Sequence, residues 1–184
     1  MENIIKNETR RDFLKVSGTV AGGLALGFYL PTGPRIAQAA AQTSSPNAWI
    51  KIGTDNSITI MCARSEMGQD VYTSMAMLVT EELEVDINKV NVEFAPPAEV
   101  YINALLGGQL TGGSTAVRDA WEKLRKAGAS ARMMLVAAAA SEWGVDASQL
   151  KAANGMVTGP GGKKATYGQL AAKASTMEVP KDVP

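Results

Sequence analysis

Two short segments hold most of the residues whose types and spacing could do chemistry. Gly107-Gly108-Gln109-Leu110-Thr111-Gly112-Gly113-Ser114-Thr115 precedes a long Ala-, Leu- and Met-rich stretch, and Arg118 falls in what should be its first helical turn. The start of a helix carries backbone N–H groups with no intrahelical acceptor, and the aligned peptide dipoles place partial positive charge there. Glycines let a ligand reach that main chain, and Ser114 and Thr115 add hydroxyl donors, so the segment could hold an anion. A cation in the first turn opposes the dipole by about 0.3–1 kcal/mol unless a bound anion reverses the sign. A plainer reading stays open beside it: Ser114 as N-cap, Gly112-Gly113 as a turn, and Arg118 paired with Glu122 four residues on. The loop fits neither G-x-x-x-x-G-K-S/T nor G-x-G-x-x-G.

The second segment, Glu66-Met67-Gly68-Gln69, follows an alternating apolar run and precedes a helical one. Main-chain amides at Gly68 and Gln69, with the Gln69 carboxamide, could face a ligand there. The alternative is a tight strand-to-helix connection.

Absences narrow the chemistry. The 184 residues contain no histidine, which removes Ser-His-Asp triads, His-ligated zinc and axial haem histidine. Cys62 is the single cysteine, so there is no internal disulfide and too few thiolates for an iron–sulfur cluster. Its apolar surroundings, Ile58 to Ala63, suit a buried thiol. No metal ligands and no catalytic group stand out. With 18 basic and 18 acidic side chains, no net field draws the chain to nucleic acid.

These segments need elements to hold them. Trp49–Ile52 and Ser57–Met61 alternate around the turn residues Thr54-Asp55-Asn56 and read as a β-hairpin. Val71, Met75, Leu78, Val79 and Leu83 recur at helical spacing, with Asp70 placed as cap and Glu81, Glu82 and Glu84 outside. Asn88 to Ala95 reads as a third strand, stopped by Pro96-Pro97. Val117, Trp121, Leu124, Gly128, Ala131, Leu135 and Ala138 form one apolar stripe of a helix from about Ser114 to Trp143, roughly 45 Å long, with Gly128 and the alanines allowing very close packing. Asn154-Gly155 signals a second hairpin, Gly159 to Gly162 a glycine turn, and Tyr167 to Ala174 a short helix. The fold class is α+β, strands with one long helix.

The N-terminus reads as an address. Thr9-Arg10-Arg11-Asp12-Phe13-Leu14-Lys15, an uncharged run from Val16 to Leu30 too short for a comfortable membrane crossing, and Ala37-Gln38-Ala39 make a tripartite export signal. Arg10 and Arg11 resemble the twin-arginine pair, with cleavage expected after Ala39 and Ala41 as second choice. The expected organisation is a signal over 1–39, a linker over 40–48, one folded unit over 49–176 and a linker over 177–184 at which the chain looks truncated. The twin-arginine translocase would export it to the periplasm, a route often used by proteins loaded with a cofactor beforehand.

EMGQDVYTSMAMLVTEELEVD, VNVEFAPP, GGQLTGGSTAVRDAWEKLRKAGASARMMLVAAAA and ANGMV, in that order, resemble the start of large molybdopterin-binding subunits of the isoquinoline 1-oxidoreductase type, in the xanthine dehydrogenase and aldehyde oxidase group of molybdenum hydroxylases. The resemblance runs from about Trp49 to Ala174. It implies a partial molybdopterin-binding domain with short strands, one long helix and one or two shorter helices. It also implies that Gly68 and Gln69 approach the dithiolene or an oxygen on molybdenum, and that Gly112, Gly113, Ser114 and Thr115 approach the pterin or diphosphate of molybdopterin cytosine dinucleotide. Asp70 stands where the family usually has a second glycine. Family large subunits are several times longer, with the catalytic glutamate near the far end, so no catalytic residue is assigned here.

The resulting expectation is the N-terminal piece of a molybdenum hydroxylase large subunit, inactive alone. It would serve oxidation of an N-heteroaromatic or aldehyde carbon and pass electrons to a small 2Fe-2S subunit, with a cytochrome c subunit as a further candidate partner. The rivals are a small exported module that binds an anion or a partner without catalysis, and a non-functional truncated product.

Overall fold

The computed structural model describes residues 24–26, 49–180 and 182–183. Arg10, Arg11 and Ala39, read as signal residues, lie outside the described residues.

The first sheet has four strands in the order β1-β2-β3-β4: Leu24–Leu26, Ile50–Ile52, Ile58–Cys62 and Val90–Phe94. The hairpin read from the sequence is β2 and β3, antiparallel with Ile50 opposite Ile60. Its turn closes through Asn56, which takes a left-handed φ of 69°, and through Asp55, whose carboxylate accepts the Ser57 N–H at 2.9 Å. β1, from the apolar run assigned to the signal, pairs antiparallel with β2. β4 joins β3 in parallel, with Cys62 opposite Phe94. Parallel neighbours need a crossover, and α1, Val71–Leu83, supplies it. The alternating apolar pattern marks β4 as a strand but carries no information about its direction.

Helix α2, Ala116–Trp143, is the longest element at 28 residues. Leu124, Ala127, Gly128, Ala131, Leu135 and Ala138 are all buried. Val117 and Trp121, placed on the same stripe by spacing, are instead 38% and 50% exposed, because the first turns of α2 turn Asp119 and Ala120 inward, the former onto Arg64 beyond β3. α1 crosses α2 at Gly128, where a Cβ would lie 2.5 Å from the Val79 carbonyl oxygen and 3.0 Å from Glu82 Cβ. Flanking the crossing, Arg125 of α2 pairs with Glu82 of α1, and Arg132 with Glu84 at 3.4 Å.

A second, antiparallel sheet follows, β5 Lys151–Ala153, β6 Met156–Thr158 and β7 Lys164–Thr166. Asn154 and Gly155 both have positive φ, 51° and 76°, as a two-residue turn with the twist of its strands requires. Helix α3, Tyr167–Ala174, has the boundaries expected from sequence and opens with a capping box from Thr166 and Gln169. Gly168 seats α3 against the β2–β3 turn: its N–H donates to Asn56 Oδ1 at 3.0 Å, and a Cβ there would lie 2.7 Å from the Asn56 nitrogen. Among the described residues, the two sheets and three helices close over one apolar core, in which Trp49 meets Tyr101 edge to face at 4.8 Å.

Candidate functional site

The fold brings the two chemistry-bearing loops together. The strand β3 ends at Cys62 and leads through Arg64 and Ser65 into the Glu66–Asp70 loop; the glycine-rich loop leads into α2. The Ser65 N–H donates to Thr111 Oγ1 at 2.8 Å, joining one loop to the other.

Beneath this contact lies a buried ionic cluster. Arg64 donates through one terminal nitrogen to Asp119 Oδ2 at 2.6 Å and through the other to the carbonyls of Ala63 and Tyr101 at 2.7 and 3.1 Å. Both Arg64 and Asp119 side chains are only 2% exposed. The other oxygen of Asp119 accepts the Ala104 N–H at 2.8 Å and Lys123 Nζ at 2.7 Å. A carboxylate in the first turn of α2 also suits the helix dipole. This cluster fixes the origin of α2 relative to β3. Sequence reading missed it: the only hint is a cation directly after an apolar strand, and nothing local pairs it with an acid 55 residues away.

The glycine-rich loop is built around Asn103, which is fully buried. Its N–H donates to the Gly108 carbonyl at 3.0 Å, its Oδ1 accepts from the Leu105 N–H, and its Nδ2 donates to Thr115 Oγ1 at 2.7 Å. Thr115 is buried and donates its own hydroxyl to the Gly112 carbonyl at 2.8 Å, so its side chain braces the loop. Gln109 adds a second brace, accepting from the Ala98 N–H and donating to the carbonyls of Ala95 and Pro96.

Helix α2 begins at Ala116, two residues after the expected start, with Thr115 at the N-cap position and no side-chain cap. Ser114 therefore does not cap it. Ser114 is exposed and takes a left-handed φ of 51°, following Gly113 at 57°. The first-turn amides of Ala116, Val117 and Arg118 have no acceptor among the described residues. Arg118 is exposed and has no ion-pair partner among them; Glu122, the partner offered by the plainer reading, faces Lys126 at 3.4 Å. Beside this end of α2 lies an open groove of about 590 Å³ whose lining includes Leu105, Val117, Arg118 and Trp121.

The N-terminus of α1 is the opposite case. Asp70 sits at the expected N-cap position but makes no side-chain cap; its backbone is left-handed at φ 58°. Glu66 takes the capping role. Its Oε1 accepts the N–H groups of Met67, Gly68, Gln69 and Asp70 at 3.1, 2.8, 2.9 and 3.1 Å, and its Oε2 accepts that of Tyr72 at 3.2 Å. The Tyr72 N–H bond first, with those of Gly68, Asp70 and Gln69, holds the carboxyl below the usual glutamate range against a smaller opposing effect of desolvation. The Gln69 carboxamide is engaged in the same loop, accepting from the Met67 N–H and donating to the Ser65 carbonyl. Cys62 is buried, and desolvation pushes its thiol up, away from thiolate chemistry. Among the described residues no cluster of His, Cys, Asp and Glu could hold a metal ion. No helix among them is long and apolar enough to cross a membrane.

The chain is thus an α+β unit in which the glycine-rich loop leaves the first-turn amides of one helix without acceptors among the described residues, beside a second loop closed on itself. The profile of the molybdopterin cofactor-binding domain matches residues 6–183, and the chain belongs to that family. It is 35% identical over 181 residues to the beta subunit of isoquinoline 1-oxidoreductase from Brevundimonas diminuta, covering 96% of this chain and 23% of that protein. It is 33% identical over 128 residues to a membrane-bound aldehyde dehydrogenase (pyrroloquinoline-quinone) from Gluconacetobacter polyoxogenes, covering 70% and 16%. The chain thus spans a quarter or less of these relatives. Solved structures share the fold: quinoline 2-oxidoreductase from Pseudomonas putida 86 superposes with a TM-score of 0.51 at 16% identity, and CO dehydrogenase from Oligotropha carboxidovorans with 0.52 at 21%, each over 67% of this chain and 15% of the other.

Proposed function

We propose that this chain contributes to binding molybdopterin cytosine dinucleotide in the large subunit of a molybdenum hydroxylase, and that the start of α2 receives the cofactor's anionic part. The observation that carries the reading is the open helix start: three amides at Ala116 to Arg118 without acceptors among the described residues, beside Arg118, which has no ion-pair partner among them. Amides aligned with a helix dipole attract an anion, and an anion relieves the unfavourable placement of Arg118. Gly112, Gly113 and Ser114 let it approach the main chain, and Thr115 keeps the loop in shape. Gly68 and Gln69, whose N–H groups Glu66 already holds, form the second contact across the Ser65–Thr111 bond by other means: Gly68 through the open space beside its Cα, and Gln69 through the carboxamide hydrogen not given to Ser65. The bound cofactor would supply redox chemistry at molybdenum, oxidising an N-heteroaromatic or aldehyde carbon with oxygen from water. This chain's own residues bind and orient it; none of them is assigned to proton transfer, and the chain alone is expected to be inactive.

The proposal extends to the assembly. Electrons would leave through a 2Fe-2S subunit, since Cys62 alone cannot hold a cluster, with a cytochrome c subunit as a further acceptor. The Arg10-Arg11 pair supports loading before export to the periplasm by the twin-arginine translocase. The test is to express the natural reading frame in a molybdenum-replete host and measure molybdenum and CMP released per chain. Stoichiometric amounts of both are expected. A folded protein with neither would refute the reading.

A further inference from the structure

We propose that Glu66 is a positioning residue: its carboxylate serves as the built-in anion of α1, shaping the Gly68–Gln69 loop and leaving α2 as the one open anion-binding helix start of the pair. The inference deepens the proposed function and rests on its reading of that loop as a cofactor contact.

Five backbone N–H groups converge on this single carboxylate, four on one oxygen and one on the other. Such convergence is what a helix start otherwise offers to a phosphate or carboxylate ligand. Here the chain fills the position itself. The bonds also explain how the loop holds an unfavourable backbone. Asp70, where glycine would be unstrained, is left-handed; its N–H is held by Glu66 and its carbonyl accepts both the N–H and the hydroxyl of Ser74 at 3.0 and 2.9 Å. Gly68 is left-handed at φ 90°. The Gln69 carboxamide closes the same loop by reaching back to Met67 and Ser65, and Ser65 carries the loop's connection to Thr111. Removing the Glu66 charge therefore releases five donors, the left-handed turn and the orientation of Gln69 together.

The ionisable groups around Glu66 are few. Cys62 at the end of β3 senses its charge, Arg64 precedes it by two residues, and Asp70 and Tyr72 follow in its own loop and helix. The remainder of α1 before Glu81 and the glycine-rich loop over 107–115 hold no carboxylate or cation. Asp70 is a carboxylate in the same loop, so the titration that reports Glu66 is the one shared by the five amides and lost in Glu66→Gln, where Asp70 is intact.

The experiment follows the amide proton and nitrogen shifts of the full chain by NMR on acidification, in wild type, Glu66→Gln and Glu66→Asp. The Met67, Gly68, Gln69, Asp70 and Tyr72 amides are expected to move together with one midpoint below the ordinary glutamate range. Glu66→Gln should abolish that shared titration and speed exchange of those amides at least about tenfold; Glu66→Asp should restore a shared titration in part. Five amides that titrate separately, or a Glu66→Gln variant with unchanged exchange protection, would overturn the inference. Pterin content separates the two readings. A wild type without pterin refutes the proposed function while the amide titration still decides the role of Glu66; a loaded wild type and an equally loaded Glu66→Gln overturn the positioning role alone.

Discussion

The Arg64 guanidinium and the Asp119 carboxylate meet at 2.6 Å in the interior, each 2% exposed, and bind the strand that leads into one candidate loop to the helix that follows the other. Neither contacts solvent enough to be a ligand group, yet the relative position of both loops depends on this pair. A buried ion pair contributes little net stability over an apolar replacement, but losing one partner strands the other charge.

Asp119→Ala is therefore expected to cost about 3–5 kcal/mol of stability. Urea unfolding should show it as a lowered midpoint. The double variant Arg64→Met with Asp119→Leu should recover most of the loss, since no buried charge is left: the guanidinium goes with its partner, and Lys123, 18% exposed, keeps the Ile102 carbonyl at 3.1 Å; recovery of none of it would mean that the cluster acts through packing rather than charge.

Gly128 sets the distance between α1 and α2. Even one methyl must displace backbone, since the Val79 carbonyl lies 2.5 Å from where it would sit. Gly128→Ala should cost about 1–3 kcal/mol despite the better helix propensity of alanine. Thermal unfolding would read it as a lower midpoint, whereas a rise would show that the helices separate freely.

Arg118→Glu separates ligand binding from stability. In the absence of cofactor, replacing an unpaired cation by an acid in the first turn of α2 should raise stability by about 0.3–1 kcal/mol. Cofactor content should fall at the same time, by at least about fivefold, the equilibrium equivalent of losing about 1 kcal/mol of favourable charge interaction. Equal pterin content in the two proteins would remove Arg118 from the site.

Two buried tyrosines predict an alkaline limit. Desolvation pushes the Tyr101 hydroxyl up to about 12, and desolvation chiefly raises that of Tyr167 too. The folded state then keeps protons that the unfolded state, with tyrosines near 10, releases. Their contribution to stability is complete below about pH 10 and is lost as pH climbs through about 12. Urea midpoints from about pH 8 to about pH 12 should be flat and then fall. Tyr167→Phe should soften that fall and cost about 1 kcal/mol at neutral pH through the lost 2.8 Å bond to the Leu83 carbonyl.

Local pattern determined many of the elements of this chain, though not the strands β1 and β7. The β2–β3 hairpin, the apolar face of α1, the Asn154-Gly155 turn and the limits of α3 follow from side-chain alternation, helical spacing and the residues that tolerate positive φ, all properties of a few neighbouring residues. Glycine at 128 likewise announced a close crossing before its partner was known. Tertiary structure decided the rest. Whether Val117 and Trp121 are buried depends on which face the first turns of α2 present to the rest of the fold, and the parallel direction of β4 depends on the crossover. The pairing of Arg64 with Asp119, the bracing of Thr115 by Asn103 and the closing of the Glu66 loop are decided by which groups meet once the chain is folded. Both helix starts carry the same orphan amides in sequence; only in three dimensions does one of them find Glu66 while the other stays open beside Arg118, because a carboxylate four residues ahead of Asp70 can curl back onto its own loop and no acid precedes α2 within reach.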